Sequence, residues 1–383
     1  MDATYLDYAA TTPLREEVAA AMAPFASATF GNPSSVHRWG RAAHAALEAA
    51  RAEAAEALGA TPAEIYFVRG GTESDNLALI GWCDAHAAGT AHPTLAISAV
   101  EHHAVLEAAE SAGSRGAARV VVLPVSPDGE VDLDRVRLAV EKKPALVSVM
   151  WVNNETGMIL PVPEIAAVVV AAGGTMHTDA AQTLGKVAVD LRDVGVHLLS
   201  ATGHKLHGPK GTGLLFVREG TRLSPLLHGG GQERGLRPGT QDVAGAVGLA
   251  RALRLAVEER PLEAARLTEL RDRLACALLA AVPGLRINAG GAPRAPHVLS
   301  VGIPGVKDGG ALLMALDLEG VAVSGGSACL SGAAKRSHVM AALYGAEDPY
   351  AAVRFSFGRA TEPVDIERAV EATARVAARL RTA

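Results

Sequence analysis

The chain has 383 residues, with 36 Lys and Arg against 41 Asp and Glu, a formal charge of −5, 49% hydrophobic residues and 20% charged ones. That balance excludes a disordered chain and a nucleic-acid binder working by bulk electrostatics, and at roughly 150 residues per domain the length points to two or three domains. Its three cysteines, Cys83, Cys276 and Cys329, are scattered and form no CxxC, which excludes a disulfide framework or a zinc cluster and fits a reducing interior. No metal site is expected. The N-terminus has no basic region with an apolar run behind it, and the longest apolar stretch, 165–172, falls far short of the roughly 20 residues of a spanning helix. The expectation is a soluble, cytoplasmic protein with no membrane or direct nucleic-acid partner.

In chain order, 65–68 reads as a strand, Gly70-Gly71-Thr72 as a turn and the following residues as a helix. Residues 95–98 read as a strand followed by a helix from His102, and 120–123 and 146–150 as two more buried strands with an imperfect amphipathic helix between them. The run 165–172, apolar on nearly all sides, suits a buried helix; 175–178, 196–199 and 213–217 complete the strands of this part. Such alternation predicts an α/β fold with a mainly parallel sheet covered on both faces. After Thr240 the pattern changes to a long helix over 243–281, short strands at 297–301 and 353–356, and a last helix from Pro363 to about Leu380. A boundary near residue 250 divides the chain into a large domain, 15–250, and a small α+β domain made of 1–14 plus 251–383.

Polar residues cluster where these strands end. Lys205, in Gly203-His204-Lys205, follows a buried strand, where burial lowers the proton affinity of an amine; a Schiff-base lysine requires that, although a plain loop lysine fits the same position. Asp179 ends another strand and suits either an N-cap or a partner for a pyridine nitrogen, with Gln182 able to donate to a ring oxygen. Gly70-Gly71-Thr72 offers a helix start to a phosphate, with Thr72 as the expected cap, but is neither a GxGxxG nor a GxxxxGK[ST] loop. His102 and Asn153-Asn154-Glu155 follow two further strands. Polar groups delivered by several strands to one sheet edge mark a ligand site. Cys83 and Cys276 lie in apolar helical patterns and read as small buried hydrophobes. Cys329 lies in the Gly/Ser-rich run 324–336, which has no periodicity and reads as an exposed loop, with Lys335 and Arg336 able to favour a thiolate.

Nearly the full length resembles the cysteine desulfurases of the class V aminotransferase group, the type that supplies iron–sulfur cluster assembly. The motifs are Leu6-Asp7-Tyr8-Ala9-Ala10-Thr11-Thr12-Pro13, Gly31-Asn32-Pro33-Ser34-Ser35, Gly71-Thr72-Glu73-Ser74-Asp75-Asn76, Val152-Asn153-Asn154-Glu155, Asp179-Ala180-Ala181-Gln182, Gly203-His204-Lys205, 229–235, Gly239-Thr240 and Ser327-Ala328-Cys329. The resemblance implies a PLP-dependent transferase of fold type I, with a seven-stranded large-domain sheet, and pyridoxal 5′-phosphate as cofactor. Lys205 would be its Schiff-base lysine, Asp179 the partner of the ring nitrogen, and Gln182 that of the ring oxygen. Gly71, Thr72, Thr202 and His204 would hold the phosphate, and Thr240 would reach the phosphate of the other subunit of a homodimer. His102 would stack on the ring and act as acid–base, and Asn154 would touch cofactor or substrate. Arg354 and Asn32 would bind the substrate L-cysteine, and Cys329 would take its sulfur as a persulfide for acceptor proteins of iron–sulfur assembly or tRNA thiolation. Three positions depart from the family pattern: Thr202 replaces a serine, Gly71 an alanine before the cofactor threonine, and Leu330 a hydroxyl residue beside Cys329. A selenocysteine lyase or an aminotransferase on the same scaffold, and more remotely a non-catalytic scaffold protein, are the competing readings.

Overall fold

The computed structural model describes residues 3–87, 92–325 and 337–381. The chain runs β1 (Thr4–Tyr5), α1 (Glu16–Ala26), α2 (Arg38–Leu58), β2 (Ile65–Val68), α3 (Gly71–His86), β3 (Thr94–Ser98), α4 (His103–Ser114), β4 (Arg119–Leu123), α5 (Leu133–Glu141), β5 (Ala145–Ser148), α6 (Val162–Ala171), β6 (Thr175–Asp179), β7 (Leu198–Thr202) and β8 (Gly213–Val217). It continues through α7 (Val243–Ala281), β9 (Arg286–Ile287), β10 (Val298–Pro304), α8 (Gly309–Leu318), β11 (Val321–Ala322), α9 (His338–Tyr344), β12 (Tyr350–Ser356) and α10 (Pro363–Arg381).

The large sheet has seven strands in the order β2-β8-β7-β6-β5-β3-β4, parallel from β7 to β4, with β8 antiparallel to both of its neighbours. Side chains alternate along each strand, so adjacent residues serve opposite faces. Leu95, Ile97, Leu198 and Leu215 pack against Leu77, Trp82 and Cys83 of α3 and Val105 and Ala108 of α4. Ala96, Leu199, Leu214 and Phe216 pack on the other face with α2, α5, α6 and the first part of α7. In α2 the residues Ala43, Leu47, Ala50, Ala54 and Leu58 recur every three or four positions and are buried, and Gly59 closes the helix in the left-handed region at φ 68°.

A second sheet, β12-β10-β9, is antiparallel, and β1 pairs in parallel with β11. Its core joins Leu299, Val301, Val353 and Phe355 to α8, α10 and the second part of α7, and takes in Leu6 from the N-terminal segment. That segment then crosses to the large sheet, where Thr12 N–H and Oγ1 donate to the His204 carbonyl at 2.9 and 2.8 Å.

Three expectations need correction. The strand 120–123 is not a buried one: β4 lies at the sheet edge, and Val122 is 56% exposed. The helix at 165–172 is not buried all round, because Val170 faces outward. Cys276 is exposed, whereas Leu267, Leu270, Leu274 and Leu278 form the inward stripe of α7; two residues past Leu274, a side chain points away from that stripe. Cys83 is buried as expected, and burial pushes its thiol up to about 12.

Candidate active site

The carboxyl edge of the large sheet gathers most of the residues expected at the site. After β2 the chain turns through Gly70, at φ 147°, into α3. The fit is close on the β8 side: a Cβ placed on Gly213 would stand 2.6 Å from the Gly70 backbone, and one on Gly71 would stand 3.7 Å from Thr202 Cβ. Glycine is therefore needed at 213, where β8 meets the turn after β2, while a side chain at 71 would make only ordinary contact with Thr202. α3 begins with no side-chain cap, so Thr72 is not the cap expected of it but an exposed residue inside the first turn. An uncapped helix start of this length presents N–H groups and positive potential to an anion.

Lys205 closes a single turn, Gly203 to Lys205, directly after β7. Its Nζ donates to the carbonyls of Ala9 and Ala10 at 2.5 and 2.6 Å. Asp179 ends β6, in register with Ser200 of β7, so the two residues leave neighbouring strands at the same edge. Asp179 does not cap a helix: its Oδ1 accepts from the Ala181 N–H at 2.8 Å within a turn, and the residue is only 7% exposed. Burial raises its carboxyl above the ordinary range, opposed by His102, the Ala181 N–H and Lys205. His102 caps α4, accepting from the Ala104 N–H at Nδ1, which leaves the ring proton on Nε2; burial lowers its proton affinity, so the ring stays neutral. Gln182 donates to the Ala9 carbonyl at 2.9 Å and accepts from His297 Nε2 at 3.0 Å. The buried Thr202 hydroxyl donates to the Thr212 carbonyl at 3.1 Å, while His204 Nδ1 meets Thr11 Oγ1 at 3.2 Å and is pushed down to about 4 by burial and by Lys205.

Arg354, on β12, reaches the same edge from the small sheet. It is 3% exposed, with Nη2 on Asp7 Oδ1 at 2.7 Å, Nη1 on the Asn154 carbonyl at 2.8 Å, and Nε without a partner among the described residues. Asn154 thus enters through its backbone. Its neighbour Asn153 shapes the loop, donating to the Val100 carbonyl and accepting from Glu155 N–H, Thr156 N–H and Thr156 Oγ1. Two expected residues are not brought to this place. Asn32 is exposed and accepts from the Ser34 N–H; Thr240 is exposed in a cleft lined by Phe67, Arg69 and Gly213; neither hydrogen-bonds to Lys205, Asp179 or Arg354. Cys329 lies outside the described residues. The chain on either side of its segment is at the site: Ser324 exchanges two backbone hydrogen bonds with Arg354, Ser337 donates to Glu155, and His338 Nε2 donates to the Glu101 carbonyl at 2.8 Å.

Sequence reasoning missed the buried ionisable layer beneath these groups. Asp75, inside α3, is 3.6 Å from His177 Nε2, and His177 also meets Ser148 and Ser200 at 2.8 and 3.1 Å. Burial and the charge of Asp179 raise Asp75 well above the ordinary range. Burial takes Glu101 up to about 8 and Glu155 up to about 7, and brings His177 down to about 3. The one signal available was polar residues inside apolar strand and helix patterns, such as Asp75 before Leu77 and His177 after Met176. Chemically, the edge offers an anion cradle at α3, a carboxyl short of positive charge at Asp179, an amine at Lys205 and a guanidinium at Arg354. That set fits a phosphorylated pyridine aldehyde together with an amino acid.

A family model for class-V aminotransferases matches residues 4–369. The chain is 42% identical over 379 residues to a protein of Dictyoglomus turgidum named cysteine desulfurase IscS, covering 99% of this chain and 95% of the relative. It is 41% identical over 382 residues to a protein of Azotobacter vinelandii named cysteine desulfurase NifS, covering 98% and 93%. A solved structure titled NifS-like protein superposes with a TM-score of 0.90 at 34% identity, covering 99% of this chain and all of the other.

Proposed function

The chain belongs to the cysteine desulfurases of the class-V aminotransferase family, and we propose that it works with pyridoxal 5′-phosphate and that Cys329 accepts the sulfur of L-cysteine. The reaction balances as L-cysteine plus the Cys329 thiol giving L-alanine plus the Cys329 persulfide, with no outside oxidant. When bound, pyridoxal phosphate supplies an electron sink for negative charge beside the substrate amino group.

The chain's own residues do the rest. The start of α3, with Gly71, Thr72, Thr202 and His204, holds the phosphate; Asp179 keeps a proton on the ring nitrogen, and Gln182 meets the ring oxygen. The Asp179 carboxyl is buried with its charge incompletely matched, so a cation beside it relieves the cost of burial. Lys205 would hold the cofactor, and its Nζ amine would be the base that takes the proton from the substrate Cα. His102, neutral with its proton on Nε2, exchanges protons at the opposite face. Arg354 holds the substrate carboxylate with its guanidinium, beside the Asn154 carbonyl that it already binds.

The observation that carries a desulfurase over a transaminase is the route of the chain: the segment with Cys329 leaves from Ser324, hydrogen-bonded to Arg354, and returns at Ser337, bonded to Glu155 beside Asn154. Cys329 is four residues from Gly325, so an extended chain of that length reaches about 14 Å. Two domains are part of this reading, 15–250 and 1–14 plus 251–383, supported by α7, where Leu253 packs with the large sheet and Leu267 with the small one, although Ala289, Ala292 and, from α9, Val339, Met340 and Leu343 pack with the large-sheet cluster. A homodimer is also part of it, with the exposed Thr240 reaching the partner's phosphate, as is delivery of sulfur to a cytoplasmic acceptor for iron–sulfur assembly or tRNA thiolation. Cys329→Ala tests the nucleophile: the variant binds cofactor normally and forms no alanine from cysteine, whereas parental turnover without added thiol overturns the assignment.

A further inference from the structure

A second lysine stands behind the first. Lys186 follows Gly185, which turns at φ 71° and packs so closely on α7 that a Cβ there would stand 2.6 Å from Ala256 Cβ. From that turn Lys186 Nζ reaches the carbonyl of Lys205 itself, at 2.7 Å. Both lysines line one cavity of about 70 Å³, walled also by Tyr8, His207, His297 and the carboxylate-bearing face of α7.

The cavity holds few groups able to neutralise Lys186. Its two carboxylates are committed to arginines: Glu259 to Arg15 at 2.8 Å and to Arg359 at 3.3 Å, and Glu263 to Arg266 at 2.6 Å. His297 and His207 are held neutral by burial, and Tyr8 by burial and the charge of Asp365. No ion pair joins Lys186 to a carboxylate among the described residues. A hydrogen bond to a carbonyl needs no charge, and a glutamine would make it without burying an ammonium. A charge there therefore calls for its own explanation, and Lys205 is among the groups it acts on, with His204, His207 and His297.

We propose that Lys186 is a positioning residue for Lys205: it holds the Lys205 carbonyl and, across the shared cavity, its charge works against a proton on Lys205 Nζ. This rests on the reading of Lys205 as the lysine that carries the cofactor. Repulsion between like charges acts on both partners, and on the Lys186 side burial and the Lys205 charge bring the amine down to about 7. Lys205 stands between opposed influences. The Asp179 carboxylate favours a proton there and Lys186 disfavours it, with His102 and His204 also in range of the Lys205 charge.

The test is a pH titration of the visible absorption of the cofactor-loaded enzyme, in which Lys205 and the cofactor share the titrating nitrogen. Lys186→Gln keeps a donor for the Lys205 carbonyl and removes the charge, Lys186→Arg keeps both, and Lys186→Met removes both. The expected midpoint rises by about one pH unit in the Gln and Met variants and stays near the parental value in the Arg variant. A Gln variant that titrates with the parent, with lowered thermal stability in Met alone, overturns the charge role and leaves Lys186 a hydrogen-bond donor. A parent that shows no visible band when loaded sinks the Lys205 reading instead, so the two failures are told apart.

Discussion

Arg51 and Glu233 are as buried as Asp75 and Glu101, at 2, 3, 1 and 0% exposure, yet the two regions treat their charges in opposite ways. Behind β2, Arg51 meets Glu233 through two hydrogen bonds at 2.7 and 2.8 Å, donates to the Ile65 carbonyl and lies over the Phe67 ring; Glu233 also accepts from the Phe67 N–H and from Gln241. Every arm of that pair is answered. At the carboxyl edge, Asp75 Oδ1 and Glu101 Oε2 accept no hydrogen bond among the described residues, Asp75 having only His177 Nε2 at 3.6 Å and the Ser200 hydroxyl against its burial, and the acids there, Asp75, Glu101 and Asp179, are all raised. A satisfied network fixes a structure. A cluster of acids raised by burial is relieved by a cation placed beside it. The contrast separates a part of the molecule whose charges are matched from one whose charges are not.

The contrast is broken most forcefully by removing one side of the satisfied pair. Glu233→Ala leaves a buried guanidinium unanswered and is expected to cost about 3–5 kcal/mol in urea unfolding; a loss under 1 kcal/mol would show that the pair is not what holds α2 to β2. Next comes Arg354→Lys, which keeps the charge and loses the planar fork: KM for cysteine is expected to rise about tenfold or more with the fold intact, and an unchanged KM would remove Arg354 from the substrate site. The smallest effect is Glu101→Gln, read as unfolding stability without cofactor at pH 5, 7 and 9. Glu101 titrates at about 8 when folded against an ordinary 4.5, so the folded state binds more protons, and the stability it contributes is lost as pH rises through that window. The Gln variant should therefore gain on the parent from pH 5 to 9. Glu233 has the opposite sign, its folded value being lowered, so its contribution is present above the ordinary value and lost in acid. A Glu101→Gln variant that tracks the parent at all three pH values would erase the distinction between the regions.

The legible part of the site was what a strand end announces. Lys205, Asp179 and His102 each follow an apolar run, and the parallel β6–β7 register brings the first two to one edge. The illegible part depends on contacts across long separations. Arg354 meets Asp7 across 347 residues, Lys205 meets Ala9 across 196, and Gln182 meets His297 across 115; no local pattern encodes such partners. Cys276 misled because it sits in the local apolar run Leu274-Ala275-Cys276-Ala277-Leu278, while the inward stripe of α7 is narrow enough to leave a cysteine outside. The edge position of β4 was hidden for a similar reason: three successive valines read as a buried strand, and only the strand order reveals that one face lacks cover.

The central claim is that sulfur leaves L-cysteine onto this chain's own thiol. The direct measurement is a single turnover with sulfur-labelled cysteine, followed by peptide mass analysis. One label on Cys329 for each alanine released, with none on Cys83 or Cys276, is the predicted result. Alanine formed with the label free in solution and Cys329 unmodified would contradict it.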